Sequence, residues 1–194
     1  MKAIMISIQP QWVEKILNKE KTIEIRKTIP KCKLPCKVYI YCTKGQELWG
    51  DGTGETWHGI DENEDIQLVH ELNPTLTRLN GKVVAEFTLK NIVKFDIENI
   101  ILMGKQKELM QKSCLGGVSL RKYLSNKTGY SWCIDKLKIY EGPKALTDFY
   151  KLKKCDSCKI SGYESSACRF DEDCRVPVQI SKPPQSWCYV EEIE

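Results

Sequence analysis

Residues 21–27, KTIEIRK, place an acid among bases at the spacing of one strand face. Side chains alternate between the two faces of a strand. The two isoleucines therefore point one way, and Thr22, Glu24 and Arg26 point the other way. Lys21 stands where the strand begins. Lysine and arginine contact phosphate oxygens or base edges, and a carboxylate accepts hydrogen bonds from amino groups. The stretch predicts a polar binding face.

Two alternatives stay open for this face. Glu24 and Arg26 could form an exposed ion pair, which contributes roughly 0–1 kcal/mol and needs no ligand. In the binding interpretation, Trp12 or Trp132 supplies an aromatic ring on which a base stacks. In the alternative without a ligand, both tryptophans belong to the core.

A second chemical feature is a cysteine-rich stretch near the C-terminal end, CDSCKISGYESSACRFDEDC. Four thiolates suit tetrahedral zinc, and C-x2-C is a common chelating spacing. Such a stretch has few large apolar residues, so a metal would help to order it. We therefore predict a structural zinc, with free thiols or a disulfide-prone loop as the alternative. Its ligands would be Cys155, Cys158, Cys168 and Cys174.

The remaining cysteines and histidines form no recognisable site. Cys32-x3-Cys36 lacks two further ligands for a metal, and the others lie in or near apolar segments, where cysteine packs as a small hydrophobe. Neither His58 nor His70 belongs to a catalytic signature, and GDGTG is not a phosphate-binding loop.

Periodicity and turn residues define the elements that must position these groups. Strands are predicted over 2–8, 21–27, 37–43, 81–96, 128–141 and 186–193, and helices over 10–19, 105–112, 119–125 and 143–151. Several non-local strands with few long helices predict an α+β fold, a small mixed β-barrel. We expect one domain over 1–194, with an acidic insertion at 44–80 and a zinc-knuckle-like insertion at 155–176.

The 194 residues carry a net charge of +4, with 41% hydrophobic and 29% charged residues. Bases concentrate in 1–44 and 81–154, and acids concentrate in 45–80 and 155–194. Basic blocks favour an anionic partner such as RNA or DNA, with a solvated mixed surface as the alternative. No apolar run approaches the roughly 18 residues of a membrane span. Without a secretion signal the expected location is cytoplasmic.

A family resemblance enters with the run SIQPQWVEKILNKEKTIEIRK, residues 7–27. It resembles the opening of ASCH domains, the RNA-associated relatives of the PUA fold. Asn18 stands in the helix-end turn, where the family often has glycine, and asparagine tolerates the left-handed conformation. GKVVAEFTL resembles the central barrel strand, and KPPQSWCYVEE resembles the ending of phage-type small members. The matching positions in the opening are Ser7, Pro10, Trp12, Lys21, Thr22, Glu24 and Arg26.

The resemblance implies a PUA-like barrel with a cleft beside the 21–27 strand that binds RNA or a modified nucleotide. The implied binding residues are Lys21, Thr22, Glu24, Arg26 and Trp132.

One branch of the family consists of small amidohydrolases that act on N4-acetylcytidine-like nucleosides. Its implied catalytic residues are a lysine, a threonine two residues before the arginine, and a later glutamate. Lys21 matches the first, but Glu24 replaces the threonine and removes its nucleophilic hydroxyl. Thr22 is two residues out of place, and Glu108 is a candidate for the distant acid. Lys21 and Glu24 are thus the candidate catalytic residues. A protein-interaction module of phage or mobile-element origin is the third alternative.

Overall fold

The computed structural model describes residues 2–58, 75–98, 106–125, 127–154 and 175–192. Strands predominate over helices, which confirms the predicted α+β class. The main sheet has six strands, which are β1 (Lys2–Ile8), β2 (Ile23–Arg26), β3 (Cys36–Cys42), β7 (Lys82–Phe95), β8 (Gly129–Ala145) and β11 (Trp187–Glu191). Their spatial order is β11-β1-β3-β7-β8-β2. The β1–β3 pair is parallel and the others are antiparallel, so the sheet is mixed.

Smaller elements flank this sheet. A three-stranded sheet and a hairpin contain β4 (Trp49–Gly50), β5 (Thr56–Trp57), β6 (Thr77–Arg78), β9 (Tyr150–Lys154) and β10 (Arg175–Gln179). The helices are α1 (Pro10–Leu17), α2 (Gln106–Ser113) and α3 (Gly117–Leu124), with a 3-10 turn at Leu146–Asp148. Across the described ranges, the helices are too short or too polar to cross a membrane.

Apolar side chains cover both faces of β1, which explains its unbroken hydrophobic run. Ile4 and Ile6 belong to one core cluster, and Met5 belongs to a second. Phe149 and Ile180 cover the second face. A strand covered on both sides reads as a continuous apolar segment.

Helix α1 begins at Pro10, whose missing N–H costs nothing in the first turn. Its end corrects one expectation, because Asn18 keeps a right-handed conformation. The left-handed residue is Lys19, with φ 63°. Lys19 N donates to the carbonyl of Ile16, and Lys21 N donates to that of Lys15, so the turn delivers Lys21 to the start of β2.

The predicted helix over 143–151 is wrong. Strand β8 continues to Ala145 and pairs there with Lys82 of β7. A single 3-10 turn follows, in which Asp148 Oδ2 accepts a hydrogen bond from Ala145 N at 2.9 Å. A helix this short is marginal without tertiary support. Pairing with β7 gives the first of these residues, up to Ala145, a more stable structure.

The described ends of the acidic segment 44–80 contain β4, β5 and β6. Leu48 and Leu79 anchor these ends in the main core. Residues 59–74, which include the DENED run and His70, lie outside the described residues. The proposed domain boundaries stay a prediction.

His58 connects this segment to helix α1. Its Nε2 lies 3.0 Å from a carboxylate oxygen of Glu14, and its Nδ1 lies 2.9 Å from the carbonyl of Glu47. The hydrogen bond that His58 donates to Glu14 raises the pKa of His58, with a further contribution from the bond to the Glu47 carbonyl.

This contact predicts a pH-dependent stability difference between the wild type and His58→Gln. A raised folded-state pKa stabilises the protein fully below the unfolded value of about 6.5, and the stabilisation is lost as pH rises through the folded pKa. The wild type should therefore have a higher free energy of unfolding than the variant at pH 5.5, and this difference should disappear by pH 8.5. Urea titrations across this range measure it. Parallel pH profiles for the two proteins would contradict the assignment, and Glu14→Gln should remove the same pH dependence.

Candidate functional site

Lys21, Glu24 and Arg26 form a buried charge cluster, which we call the trio. They are 2%, 8% and 6% exposed. Lys21 Nζ lies 3.2 Å from Glu24 Oε2, and Arg26 Nε lies 3.1 Å from Glu24 Oε1. The Arg26 contact is an ion pair without hydrogen-bond geometry. The alternative of an exposed ion pair is therefore wrong, whereas the predicted alternation holds, because Ile23 and Ile25 pack in a separate apolar cluster.

Two helices complete the surroundings of Lys21. Its Nζ donates a hydrogen bond of 2.7 Å to the carbonyl of Ser113, at the end of α2. The same ammonium lies 5.5 Å from the ring centroid of Trp12 on α1, a cation–π contact. The lysine thus joins β2 to both helices.

Arg26 links the two ends of the main sheet. β2 and β11 are the end strands, and in the described residues no backbone ladder joins them. Arg26 donates from Nη2 to the carbonyl of Ser7 at 2.8 Å and from Nη1 to Ser186 Oγ at 3.1 Å. Trp187 Nε1 donates to Thr28 Oγ1 at 2.9 Å nearby. Side chains therefore close the barrel where strand pairing does not.

Trp132 lies opposite Glu24 in the β2–β8 register, so both side chains point to the same face. It is fully buried in the main core. Its ring therefore offers no exposed face to a base, and the core alternative for this residue is correct. Its buried Nε1–H has no hydrogen-bond partner among the residues that the structure describes. Such orphan donors are rare and need an explanation.

Comparison with known proteins places this geometry in a fold. No family model matches the sequence, and no curated protein matches it. The solved structures include crystal structures of ASCH from Zymomonas mobilis and of two mutants of that protein. The chain has the fold of the ASCH proteins. One mutant gives a TM-score of 0.54 at 16% identity over 99% of this chain and 92% of that chain. The unsubstituted protein gives 0.53 at 16% identity over 98% and 88%.

The ASCH fold predicted from the opening run is confirmed. Within it, five of the motif residues form one connected cluster through pairwise contacts, namely Ser7, Trp12, Lys21, Glu24 and Arg26. The phage-type detail stays a prediction.

Two predicted site residues lie apart from the trio. Thr22 is exposed and precedes β2, and its backbone bonds to Lys112 and Ile134. Glu108 accepts a hydrogen bond of 2.7 Å from Lys112 on the exposed side of α2. Neither Thr22 nor Glu108, the two candidates for the hydroxyl and the distant acid of the amidohydrolase branch, therefore joins the trio.

Ser113 and Ser186 contribute contacts that the sequence analysis did not assign. Ser113 offers only its carbonyl to Lys21, and any residue type supplies a carbonyl. Ser186 lies in the stretch KPPQSWCYVEE, which resembles the family's ending. That resemblance drew attention to the segment, but it did not predict the contact with Arg26. The partners are 92 and 160 residues away from the cations that they bind.

No described residues assemble three or more His, Cys, Asp or Glu side chains around a possible metal. The predicted ligands Cys155, Cys158, Cys168 and Cys174 all lie outside the described residues. Cys32 donates a hydrogen bond to Cys36, with 3.4 Å between the sulfurs. Burial, together with that bond, raises the pKa of Cys36 to about 12. Both cysteines are free and not joined in a disulfide.

The closure of the barrel predicts a large difference between two cation-to-Met variants. Arg26→Met leaves Ser7 and Ser186 without their donor and Glu24 with one cation. We expect a loss of about 3–5 kcal/mol in free energy of unfolding, typical of breaking a buried pair.

Lys15→Met is the control, because it breaks the exposed pair between Lys15 and Glu20. Its expected cost is below about 1 kcal/mol. Urea unfolding monitored by tryptophan fluorescence gives both values. Similar small losses in the two variants would show that Arg26 does not close the barrel.

Proposed function

We propose that the chain binds RNA, or a modified nucleotide, at the face of β2 that carries the trio. The observation that carries this proposal is an unbalanced buried charge. Two cations surround one carboxylate in the trio.

Buried ion clusters contribute little to stability, because the free-energy cost of removing the ions from water commonly exceeds the energy of their mutual attraction. A cluster with excess positive charge is costlier still. An anionic ligand beside the trio would offset that charge. Nucleotides offer anionic oxygens on their phosphates.

The surface around β2 favours an anionic chain as the ligand. Lys94 of β7 pairs in register with Tyr130, which pairs with Arg26. These three side chains therefore form one row across the sheet, and Lys94 at its end is exposed. Lys27, next to the trio, is exposed and lies 5.1 Å from the ring of Tyr123. Both ammonium groups can contact phosphates.

The proposal predicts that Lys21→Met weakens RNA binding while the fold is retained. This variant leaves a neutral Glu24–Arg26 pair, so it removes the excess charge without stranding an acid. We expect at least a tenfold loss of affinity, an effect of about 1.4 kcal/mol. Fluorescence anisotropy with single-stranded and hairpin RNAs at two salt concentrations measures this, since phosphate contacts make binding salt-dependent.

Lys15→Met is again the matched control, as it removes an exposed lysine of α1 with the same change in net charge. It should bind as the wild type does. Equal affinities for the wild type and both variants would remove the trio from the binding site. Melting curves confirm that each variant is folded.

The amidohydrolase alternative depends on chemistry that the trio does not supply by itself. Thr22 lies outside the cluster, and both oxygens of Glu24 are paired with cations. These placements support binding over hydrolysis. Release of acetate from N4-acetylcytidine by the wild type, lost in Lys21→Met, would instead support the enzyme.

We also propose that the cysteine-rich stretch holds a structural zinc. Support comes from its flanks, because Lys154 of β9 pairs directly with Arg175 of β10. Cys155 and Cys174 adjoin these two paired residues in sequence. The chain therefore enters and leaves this stretch at neighbouring positions, as a four-cysteine site requires.

The zinc proposal predicts one bound zinc per chain after purification without added metal. Elemental analysis measures the content, and a thiol-reactive dye reports the release of cysteines by a chelator. Cys158→Ser should lower the zinc content, whereas Cys114→Ser, a control in the described part of the chain, should not. A metal-free wild-type protein would contradict the proposal.

A further inference from the structure

A second basic site lies on the other side of the barrel closure. A cavity of about 930 Å³ opens between the loop that joins β2 to β3 and the strand β11. Its size falls within the range of small-ligand sites. We call it the lysine cavity, because its lining contains Glu192 and four lysines, namely Lys2, Lys31, Lys33 and Lys37.

Three of these lysines are available to a ligand. Lys37 already lies 3.0 Å from Glu192 and 3.9 Å from Glu86. Lys2, Lys31 and Lys33 are exposed, and their ammonium groups contact no acid within the described residues. The cavity therefore has an unneutralised positive charge that suits phosphate groups.

One wall of the cavity is aromatic. Trp187 and Tyr189 of β11 are half-buried, with ring centroids 5.5 Å apart in an edge-to-face arrangement. Lys31 N donates a hydrogen bond to Tyr189 Oη, which holds the lysine-bearing loop against this wall. Cations beside partly open rings are the combination by which proteins bind single-stranded nucleic acid.

The lysine cavity and the trio are neighbours through consecutive residues. Ser186 accepts a hydrogen bond from Arg26 of the trio. Trp187 lines the cavity, and its ring lies 6.0 Å from that of Trp132, which is opposite Glu24. A ligand that extends from the trio past Ser186 would reach the cavity at Trp187.

We propose that the lysine cavity binds the nucleotides that flank the one at the trio, so that the ligand is a single strand of RNA. This inference rests on the proposed function and narrows its ligand class. The phosphates contact Lys31 and Lys33, and a base packs against Tyr189. A duplex is disfavoured, because its bases are stacked and paired inside the helix and cannot lie against these rings.

The first test removes the two loop charges with Lys31→Ala/Lys33→Ala. The salt slope for a labelled single-stranded RNA should fall by about 1.4, since each phosphate contact contributes about 0.7 for single strands. The charge-matched control is Lys138→Ala/Lys153→Ala, two exposed lysines of β8 and β9. It should leave the slope unchanged.

The second test changes the aromatic wall. Tyr189→Leu removes the ring and should weaken binding of the single strand by about 5- to 100-fold, the effect of losing one stacked base. Tyr189→Phe keeps the ring and loses only the hydroxyl that accepts the Lys31 N–H bond, so it should lose clearly less affinity than Tyr189→Leu. Melting temperatures of both variants verify folding.

The outcomes separate this inference from the proposed function. If Lys21→Met weakens binding but the loop and ring variants bind as tightly as the wild type, the cavity proposal is overturned. The trio then remains the proposed binding site. If the loop and ring variants weaken binding but Lys21→Met does not, the cavity is the site and the trio is excluded. Wild-type protein that binds a matched hairpin more tightly than the single strand, or binds neither, also overturns the cavity proposal.

Discussion

The contact on which this structure depends is that of one carboxylate with two cations inside the barrel. Glu24 alone balances Lys21 and Arg26, and each cation then reaches a distant part of the chain. Lys21 binds the end of α2, and Arg26 binds β1 and the segment before β11. Charges buried this deeply are tolerated only when their remaining hydrogen bonds are also satisfied. The positions of three separate segments therefore depend on one side chain of a four-residue strand.

This arrangement also connects the trio to the lysine cavity. The sheet is open between β2 and β11 in its backbone ladder, and Arg26 closes it through Ser7 and Ser186. The closing residue Ser186 is followed directly by Trp187, the first ring of the cavity wall. Two adjacent residues, one before β11 and one that begins it, thus connect the ion cluster to the cavity.

The sequence was most informative where a pattern is local. Alternation in β2, the apolar run of β1 and Pro10 at the start of α1 all predicted elements that the structure contains. It was least informative where the outcome depends on distant partners. Of the predicted helix at 143–151, Lys144 and Ala145 pair with β7 instead, and no local signal near Pro143 reveals that pairing. Likewise, the carbonyl of Ser113 carries no sequence signature. The motif therefore located the site, but its burial and its partners required the fold.

The identity of residue 24 is relevant to the choice between ligand binding and hydrolysis. In the amidohydrolase interpretation this position carries a hydroxyl, which must be free to attack. Here it carries a carboxylate whose two oxygens lie 3.2 and 3.1 Å from cations. A hydroxyl could not balance both charges, so Arg26 would lose the ion pair that orients it toward Ser7 and Ser186. In this chain the closure of the barrel thus relies on the substitution that removes the nucleophile. A fixed cluster of paired charges follows from the carboxylate at this position.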